Sequence, residues 1–277
     1  MTLSSTFRLY QLVKRMGFAL LLLTGTLAYA DPLSDRVVRA TGIDRQLELA
    51  YENLGEQFAV GFQQSSGLTL GDDFLQVVDR SLSAAPIVDA IKQGVDGKLS
   101  KSQIDSLMQW LNSDLGRKII ELEVRAGEPR ELEKLAAQIN QVAADQSSMQ
   151  RAAQLDEILA LTDQAMLQTE GLQIAVLEGL VANKVSAQQF EAMQTQMKQG
   201  LAESRPQIEQ VTRAMSAFAY RSISDAEFAA YLAFLNDPAT KALNEATLLA
   251  QSNAVQAQYK ELGQNIADFL ANYQANR

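Results

Sequence analysis

The chain contains no cysteine and no histidine among its 277 residues. Without cysteine no disulfide can form, even in an oxidising compartment, so packed apolar surface must stabilise the fold. Without histidine, Ser-His-Asp triads, Cys-His pairs and histidine-ligated zinc sites are excluded. An enzyme would have to rely on carboxylate, Ser-Lys, tyrosine or arginine chemistry, and no pattern in the sequence indicates a catalytic centre or a cofactor. We therefore expect no enzymatic activity and no cofactor.

Positive charge is also scarce. Lysine and arginine number 24 against 33 aspartates and glutamates, which gives a formal net charge of −9. Nucleic acids and anionic lipid surfaces attract proteins through concentrated positive charge. We therefore expect no nucleic-acid partner, and we interpret the acidic excess mainly as a source of solubility.

An export signal occupies the N-terminus. Basic residues precede an uncharged stretch that contains four consecutive leucines, and a small-x-small site follows it: Arg8, Lys14 and Arg15, the stretch 16–29, and Ala28-Tyr29-Ala30. This order is typical of a secretory signal peptide. The sequence predicts a signal peptide over residues 1–30, with Ala28 and Ala30 as the small residues of the cleavage site and cleavage after Ala30.

The alternative interpretation of this stretch is an uncleaved membrane anchor. A spanning helix needs about 20 apolar residues, whereas this stretch is shorter and ends in a peptidase-type site. Cleavage removes three basic and no acidic residues, so the mature chain has 21 basic against 33 acidic residues and a net charge of −12. We expect a soluble periplasmic protein of a Gram-negative bacterium, with no stable membrane insertion after cleavage.

The remaining sequence has the periodicity of helices. Ile43, Leu47, Tyr51, Leu54 and Phe58 recur every three or four residues and define one buried stripe. No segment shows the alternation of a strand. Helices are predicted near residues 34–64, 72–83, 86–96, 101–112 and 114–126, then over 129–183 as one long helix with a possible break, and near 186–203, 206–221, 225–236 and 238–273.

Proline placement supports these helices. Pro86, Pro129, Pro206 and Pro238 each stand at the front of a periodic run, where a missing N–H costs nothing. Ser204 and Asp237 precede two of these prolines as N-cap candidates. The sequence thus predicts an all-α fold, either a multi-helix bundle or an array of helical hairpins.

Two segments align without gaps at an offset of 124 positions, residues 99–121 and residues 223–245. Trp110 aligns with Phe234, and four positions are identical: Ser100/Ser224, Leu111/Leu235, Asn112/Asn236 and Glu121/Glu245. Four identities in helical sequence can arise by chance, but the shared cap, aromatic position and corner favour a duplicated helical hairpin. We predict module 1 over 31–127, a helical connector over 128–183 that includes the start of module 2, and module 2 proper over 184–277.

The second copy resembles a widespread bacterial family of secreted proteins known only as a domain of unknown function. Its pattern is an acidic, apolar helix that ends in an aromatic residue before a Ser-Pro-x-Gly-x-Lys-like corner, matched here by Tyr220, Ile223-Ser224, Glu227-Phe228, Phe234, Asp237-Pro238 and Lys241. The first copy has Ser100, Gly116 and Arg117 but Asp114 in place of proline, and the second has Thr240 in place of glycine. The resemblance implies a helical exported module and supplies no catalytic residue.

The most conspicuous charge pattern is acidic. Asp44, Glu48, Glu52 and Glu56 are spaced four apart and should share one face of the predicted helix 34–64. They are either a cation site, a docking face for a basic partner, or a solvated face. The solvated face is favoured because a straight helix offers carboxylate oxygens from one side only, whereas a hard cation is wrapped by a loop.

Three further sets of residues have a functional and a structural interpretation. Asp72-Asp73 is either an acidic catalytic pair or an N-cap, and the cap is favoured. Trp110 and Phe234 either line a ligand groove between the hairpins or seal helix packing. Met193, Met197 and Met215 are either an adaptable binding surface or core filler.

The sequence as a whole favours a periplasmic protein that binds and does not catalyse. Its partner would be another envelope protein or an apolar small ligand held between helices. The alternatives are a histidine-free hydrolase that uses carboxylates and a purely structural envelope-stress protein.

Overall fold

The computed structural model describes residues 33–181 and 185–275. The predicted signal peptide, with Ala28 and Ala30, lies outside the described residues. Within the described ranges every regular element is an α-helix, so the prediction of an all-α fold is confirmed. None of the described helices combines the length and the apolar character that a membrane crossing requires.

The helices follow one another with short connections. In chain order they are α1 (Leu33–Ala40), α2 (Ile43–Tyr51), α3 (Leu54–Ser66), α4 (Asp72–Ser81), α5 (Ala84–Val95), α6 (Lys101–Leu111), α7 (Asp114–Ala126), α8 (Pro129–Ala144), α9 (Gln146–Leu159), α10 (Leu161–Val181), α11 (Ala187–Ala219), α12 (Asp225–Leu235) and α13 (Pro238–Ala275).

The prediction of one helix near 34–64 is wrong, because the chain breaks twice and forms α1, α2 and α3. Gly42 ends the first segment with a φ of 55°, a left-handed conformation that glycine adopts without steric cost. Asn53 separates the next two helices with φ −125° and ψ 13°. Both residues are weak helix formers, and apolar periodicity across them concealed the breaks.

The predicted long helix 129–183 also consists of three helices. Asp145 starts α9 as its N-cap, and its Oδ1 accepts hydrogen bonds from the backbone N–H groups of Ser147 (3.1 Å) and Ser148 (3.3 Å). Ala160 separates α9 from α10 with a φ of 50°. The segment is therefore broken at Asp145 and Ala160 into α8, α9 and α10.

Pro206 does not begin a helix, contrary to the prediction. It lies inside the continuous helix α11, and the Ser204 hydroxyl donates to the carbonyl of Gly200 at 3.0 Å, so Ser204 does not act as an N-cap. One apolar stripe stays buried on both sides of the proline and offsets the lost backbone hydrogen bond: Leu201, Ile208, Val211 and Met215.

The other prolines lie at or near helix starts. Pro129 and Pro238 are the first residues of α8 and α13, and Pro86 is the third residue of α5. Asp237 precedes Pro238, and its Oδ1 accepts the backbone N–H of Ala239 at 2.8 Å. This arrangement satisfies a donor that the helix start would leave free.

Two apolar cores hold the helices together. The larger includes residues from α1 to α7 and from α12 and α13, among them Val37, Phe74, Ile119 and Ile266. It therefore joins residues of both predicted modules. A smaller core lies between α8, α10 and α11, with Leu135, Ile139, Ala165, Val211 and Phe218.

The helices α10 and α13 run in the same direction in close contact. A Cβ placed on Gly263 would lie 2.8 Å from the carbonyl oxygen of Ala175, and one on Gly179 would lie 2.7 Å from the side chain of Ile266. The missing side chains let the two backbones approach. Nearer the N-terminus of α10, larger side chains separate the helices and leave a groove between them.

Candidate functional site

The two hairpins have the same local geometry at an offset of 124 residues. Helix α6 spans 101–111 and α12 spans 225–235. Ser100 and Ser224 each form a capping box, with Gln103 and Glu227 respectively as the third helical residue. Both helices end at an asparagine whose side-chain amide donates to the carbonyl four residues earlier, at 2.7 Å for Asn112 and at 3.0 Å for Asn236.

Trp110 and Phe234 contact each other directly. Their ring centroids are 3.7 Å apart and their planes differ by 6°. Phe234 is buried and Trp110 is half-buried. The space between these two rings is therefore filled, and the stack corresponds to the packing interpretation of this pair.

A buried carboxyl group lies beside the stack. Glu123 of α7 is 1% exposed, and its Oε1 accepts hydrogen bonds from the hydroxyls of Tyr220 and Tyr231, the latter at 2.7 Å. Burial raises the pKa of Glu123 to about 8, although both hydrogen bonds lower it. Its Oε2 has no hydrogen-bond partner among the described residues. The group is protonated at neutral pH and closed off from solvent, so we assign it a structural role.

A salt bridge connects the two hairpins at the surface. The Lys118 ammonium of α7 donates to Glu227 of α12 at 2.7 Å. This bond, with further hydrogen bonds from Ser224, lowers the pKa of Glu227 to about 2. Glu227 therefore caps its own helix and pairs with the other hairpin.

The remaining residues of the family-like pattern shape the corners. A Cβ on Gly116 would overlap the carbonyl oxygen of Trp110, so a side chain there would displace the backbone. Arg117 donates to the carbonyl of Asn112 at 2.5 Å and to Asp114 at 2.7 Å. In the second corner Lys241 is exposed. The geometry of these residues serves the turn between two helices.

The acidic stripe does not lie along one helix. Asp44 and Glu48 belong to α2, Glu52 lies in the break, and Glu56 belongs to α3. Glu48 pairs with Arg45 at 3.2 Å, and burial is the main cause that raises the pKa of Asp44. The prediction of a continuous face is wrong because Asn53 interrupts the helix.

The acidic pair Asp72-Asp73 occupies the first turn of α4. Gly71, and not an aspartate, is the N-cap residue. Carboxylates in a first turn interact favourably with the helix dipole. In the described part of the chain no group of three or more acidic side chains is arranged to hold a metal ion.

The methionines divide between surface and core. Met193 is 37% exposed and Met197 is half-buried, both on the N-terminal half of α11. Met215 is buried in the smaller core. The three side chains therefore do not form a common binding surface.

A polar cleft lies where α9, α10 and α11 meet. Arg205 pairs with Asp163 at 2.5 Å, and Arg213 pairs with Asp156 at 3.0 Å and with Glu209. The arginines of this cleft are thus engaged by the protein itself. Asp156 is further held by the backbone N–H (2.8 Å) and the hydroxyl (2.7 Å) of Thr162.

An apolar groove lies between α10 and α13, and we call it the α10–α13 groove. Its lining combines three aliphatic side chains, one tyrosine, four amides and one serine: Leu167, Leu248, Val255, Tyr259, Gln164, Gln168, Gln251, Gln256 and Ser252. Leu167 is 56% exposed. Leu249 follows the lining residue Leu248 in α13 and is 65% exposed.

Sequence reasoning missed this groove. Its signal is that α10 carries apolar residues on several faces, with Leu167, Leu172 and Leu177 pointing in different directions around the helix. A helix that is apolar all round needs more than one partner surface. That Leu167 lies beside α13 depends on the packing of the two helices, which no local sequence signal specifies.

A scan against protein-family models, a search of curated proteins and a search of solved structures each find no match for this chain. The geometry of the chain itself therefore carries the argument on function.

Proposed function

We propose that this chain is an exported helical protein that acts by binding another envelope protein through the α10–α13 groove. One observation carries the proposal: Leu167 and Leu249 have the largest exposed fractions among the large apolar side chains of the described residues. Leu167 lines this groove, and Leu249 is the sequence neighbour of Leu248, which also lines it. Clustered apolar exposure next to a concave surface is typical of an interaction site.

The polar lining of the groove indicates an uncharged occupant. Within the described residues, the side chains around it are glutamines, a serine, a tyrosine and aliphatics, and none carries a charge at neutral pH. A charged group would lose hydration in the groove without meeting an opposite charge. The occupant should therefore be apolar, with neutral hydrogen-bonding groups at its edge.

The size of the groove favours a protein partner over an apolar small ligand. Its cavity volume is about 50 Å³, whereas sites for small molecules commonly span roughly 300–1,000 Å³. On the same measure one water needs about 10–15 Å³, so the groove holds about three or four heavy atoms. That is the end of one valine or leucine side chain.

The export part of the proposal rests on residues 1–30. The intact mass of the protein purified from the periplasm of its host should correspond to a chain that begins at Asp31. A mass that retains the first 30 residues would contradict export with cleavage.

The binding part can be tested by affinity capture. The mature wild-type chain, Leu167→Asp and Val60→Asp would each be immobilised and exposed to envelope extract. Val60 is a matched control because it is 47% exposed and lies on α3, outside the groove residues. We expect one specific protein to be recovered by the wild type and Val60→Asp and lost with Leu167→Asp. Equal recovery by all three chains would refute the groove as the binding site.

We also propose that the two hairpins descend from one duplicated unit that resembles the secreted family of unknown function. The equal lengths of α6 and α12 and the capping box at the start of each helix support this origin. The proposal concerns ancestry and assigns no chemistry. The alternatives are a hydrolase that uses carboxylates and a purely structural role. Recovery of no specific protein by any of the three immobilised chains would favour them.

A further inference from the structure

The amide side chains of the α10–α13 groove match the polar groups of a peptide backbone. Gln164, Gln168, Gln251 and Gln256 each provide both a donor and an acceptor. A peptide chain presents one N–H and one C=O per residue. Glutamines on both helices can therefore pair with a chain that lies along the groove.

Gln251 is the best-defined of these groups. It is 5% exposed, and its Oε1 accepts no hydrogen bond from the described residues. Buried carbonyl oxygens in proteins almost always have a partner. The terminal torsion of glutamine is soft, so rotation about it can turn this oxygen towards a donor in the groove.

We infer, on the basis of the proposed function, that the groove binds an extended, uncharged peptide segment of its partner. A leucine or valine side chain enters the cavity of the groove, and a backbone N–H beside it donates to Oε1 of Gln251. The donors inside a helix are already used by that helix, whereas an extended segment keeps its N–H groups free. An acyl chain offers no N–H donor to Oε1 of Gln251.

The test uses the mature chain and an array of uncharged seven-residue peptides with leucine or valine at the centre. The tightest peptide would be resynthesised with an ester in place of the central amide, which removes the N–H and adds no bulk. Fluorescence anisotropy would measure both peptides on the wild type, on Gln251→Met and on Gln196→Met. Gln196 is an exposed glutamine of α11 and serves as the control.

We expect the wild type to bind the amide peptide about tenfold more tightly than the ester, the usual weight of one hydrogen bond. Gln251→Met should lower the affinity for the amide peptide to that for the ester peptide, and it should leave the affinity for the ester peptide unchanged. Gln196→Met should behave like the wild type. The amide–ester comparison on the wild type is independent of any effect of the substitution on folding.

Three results would overturn the inference: no peptide of the array binds, amide and ester bind equally, or decanol displaces the peptide and binds more tightly. If any of these occurs while Leu167→Asp still abolishes capture, the proposed function stands and the assignment of its ligand fails. If capture does not depend on Leu167, the proposed function itself fails.

Discussion

Trp110 and Phe234 lie 124 positions apart in the chain and stack with their ring centroids 3.7 Å apart. Each stands at the same place in its hairpin, at the last turn of α6 or α12. The contact therefore ties the two hairpins together at equivalent positions. Because Trp110 is the single tryptophan of the chain, its fluorescence reports on this contact.

Removal of the Phe234 ring should destabilise the protein strongly. Phe234→Ala deletes a buried aromatic side chain, for which we expect a loss of about 3–5 kcal/mol in the free energy of unfolding. The emission of Trp110 should shift to longer wavelength as water reaches the indole. Val60→Ala, at an exposed site, should stay within about 0.5 kcal/mol of the wild type. Chemical denaturation followed by fluorescence and circular dichroism measures both effects, and an unchanged midpoint for Phe234→Ala would contradict the buried stack.

Glu123 should make the stability depend on pH. Its pKa is about 8 in the folded protein and about 4.5 in the unfolded chain, so between these values the folded state binds more protons. The free energy of unfolding therefore falls as pH rises from about 4.5 to about 8, by at most about 1.4 kcal/mol per pH unit from this group. The stability that the protonated Glu123 contributes is fully present below about pH 4.5 and is lost above about pH 8.

Glu123→Gln isolates that contribution, because the amide stays neutral and still offers an oxygen to Tyr220 and Tyr231. The difference in stability between variant and wild type should grow in favour of the variant across this range. Urea denaturation at pH 5, 7 and 9 provides the comparison. A difference that does not change with pH would show that Glu123 ionises normally in the folded protein.

Lys118 should account for the low pKa of Glu227. In Lys118→Met the pKa of Glu227, about 2 in the wild type, should rise towards its ordinary value, while the hydrogen bonds from Ser224 keep part of the shift. Carbon-detected NMR titration of the Glu227 carboxyl measures this directly. An unaltered titration would mean that the salt bridge between α7 and α12 does not form in solution.

The close contact of α10 and α13 should tolerate no side chain at Gly263. A Cβ there would lie 2.8 Å from the carbonyl oxygen of Ala175, so Gly263→Ala should cost about 1–3 kcal/mol. Gly200 of α11 is the matched control, since a Cβ at that position would meet no neighbouring atom within 4 Å and alanine is the better helix former. We expect Gly200→Ala to stabilise the protein by about 0.5–1 kcal/mol. Opposite signs in thermal unfolding confirm the contact, and equal effects would contradict it.

Local signals predicted much of the helical structure. The capping serines Ser100 and Ser224 and the proline at 238 act within a few residues, so their effect is visible in the sequence. The break at Gly42 has a local signal in the glycine itself, whereas the break at Ala160 has none. Alanine, the best helix former, gives no local reason for a positive φ at position 160.

The groove and the buried carboxyl depend on contacts between distant segments. Glu123 meets Tyr220 across 97 positions, and Leu167 lines the same groove as Leu248 because α10 and α13 lie side by side. No periodicity within one helix specifies such a pairing. The acidic stripe illustrates the opposite error, since its regular spacing persisted across a break in the helix.

Photo-crosslinking in living cells tests the central claim most directly. A benzoylphenylalanine placed at position 167 or 249 should form a crosslink to the same envelope protein, because position 167 lines the α10–α13 groove and position 249 adjoins Leu248, which also lines it. The same residue at position 60 should not crosslink to it. If position 60 gives that product as strongly as 167 and 249, or if the groove positions give none, the chain does not bind a partner through this groove.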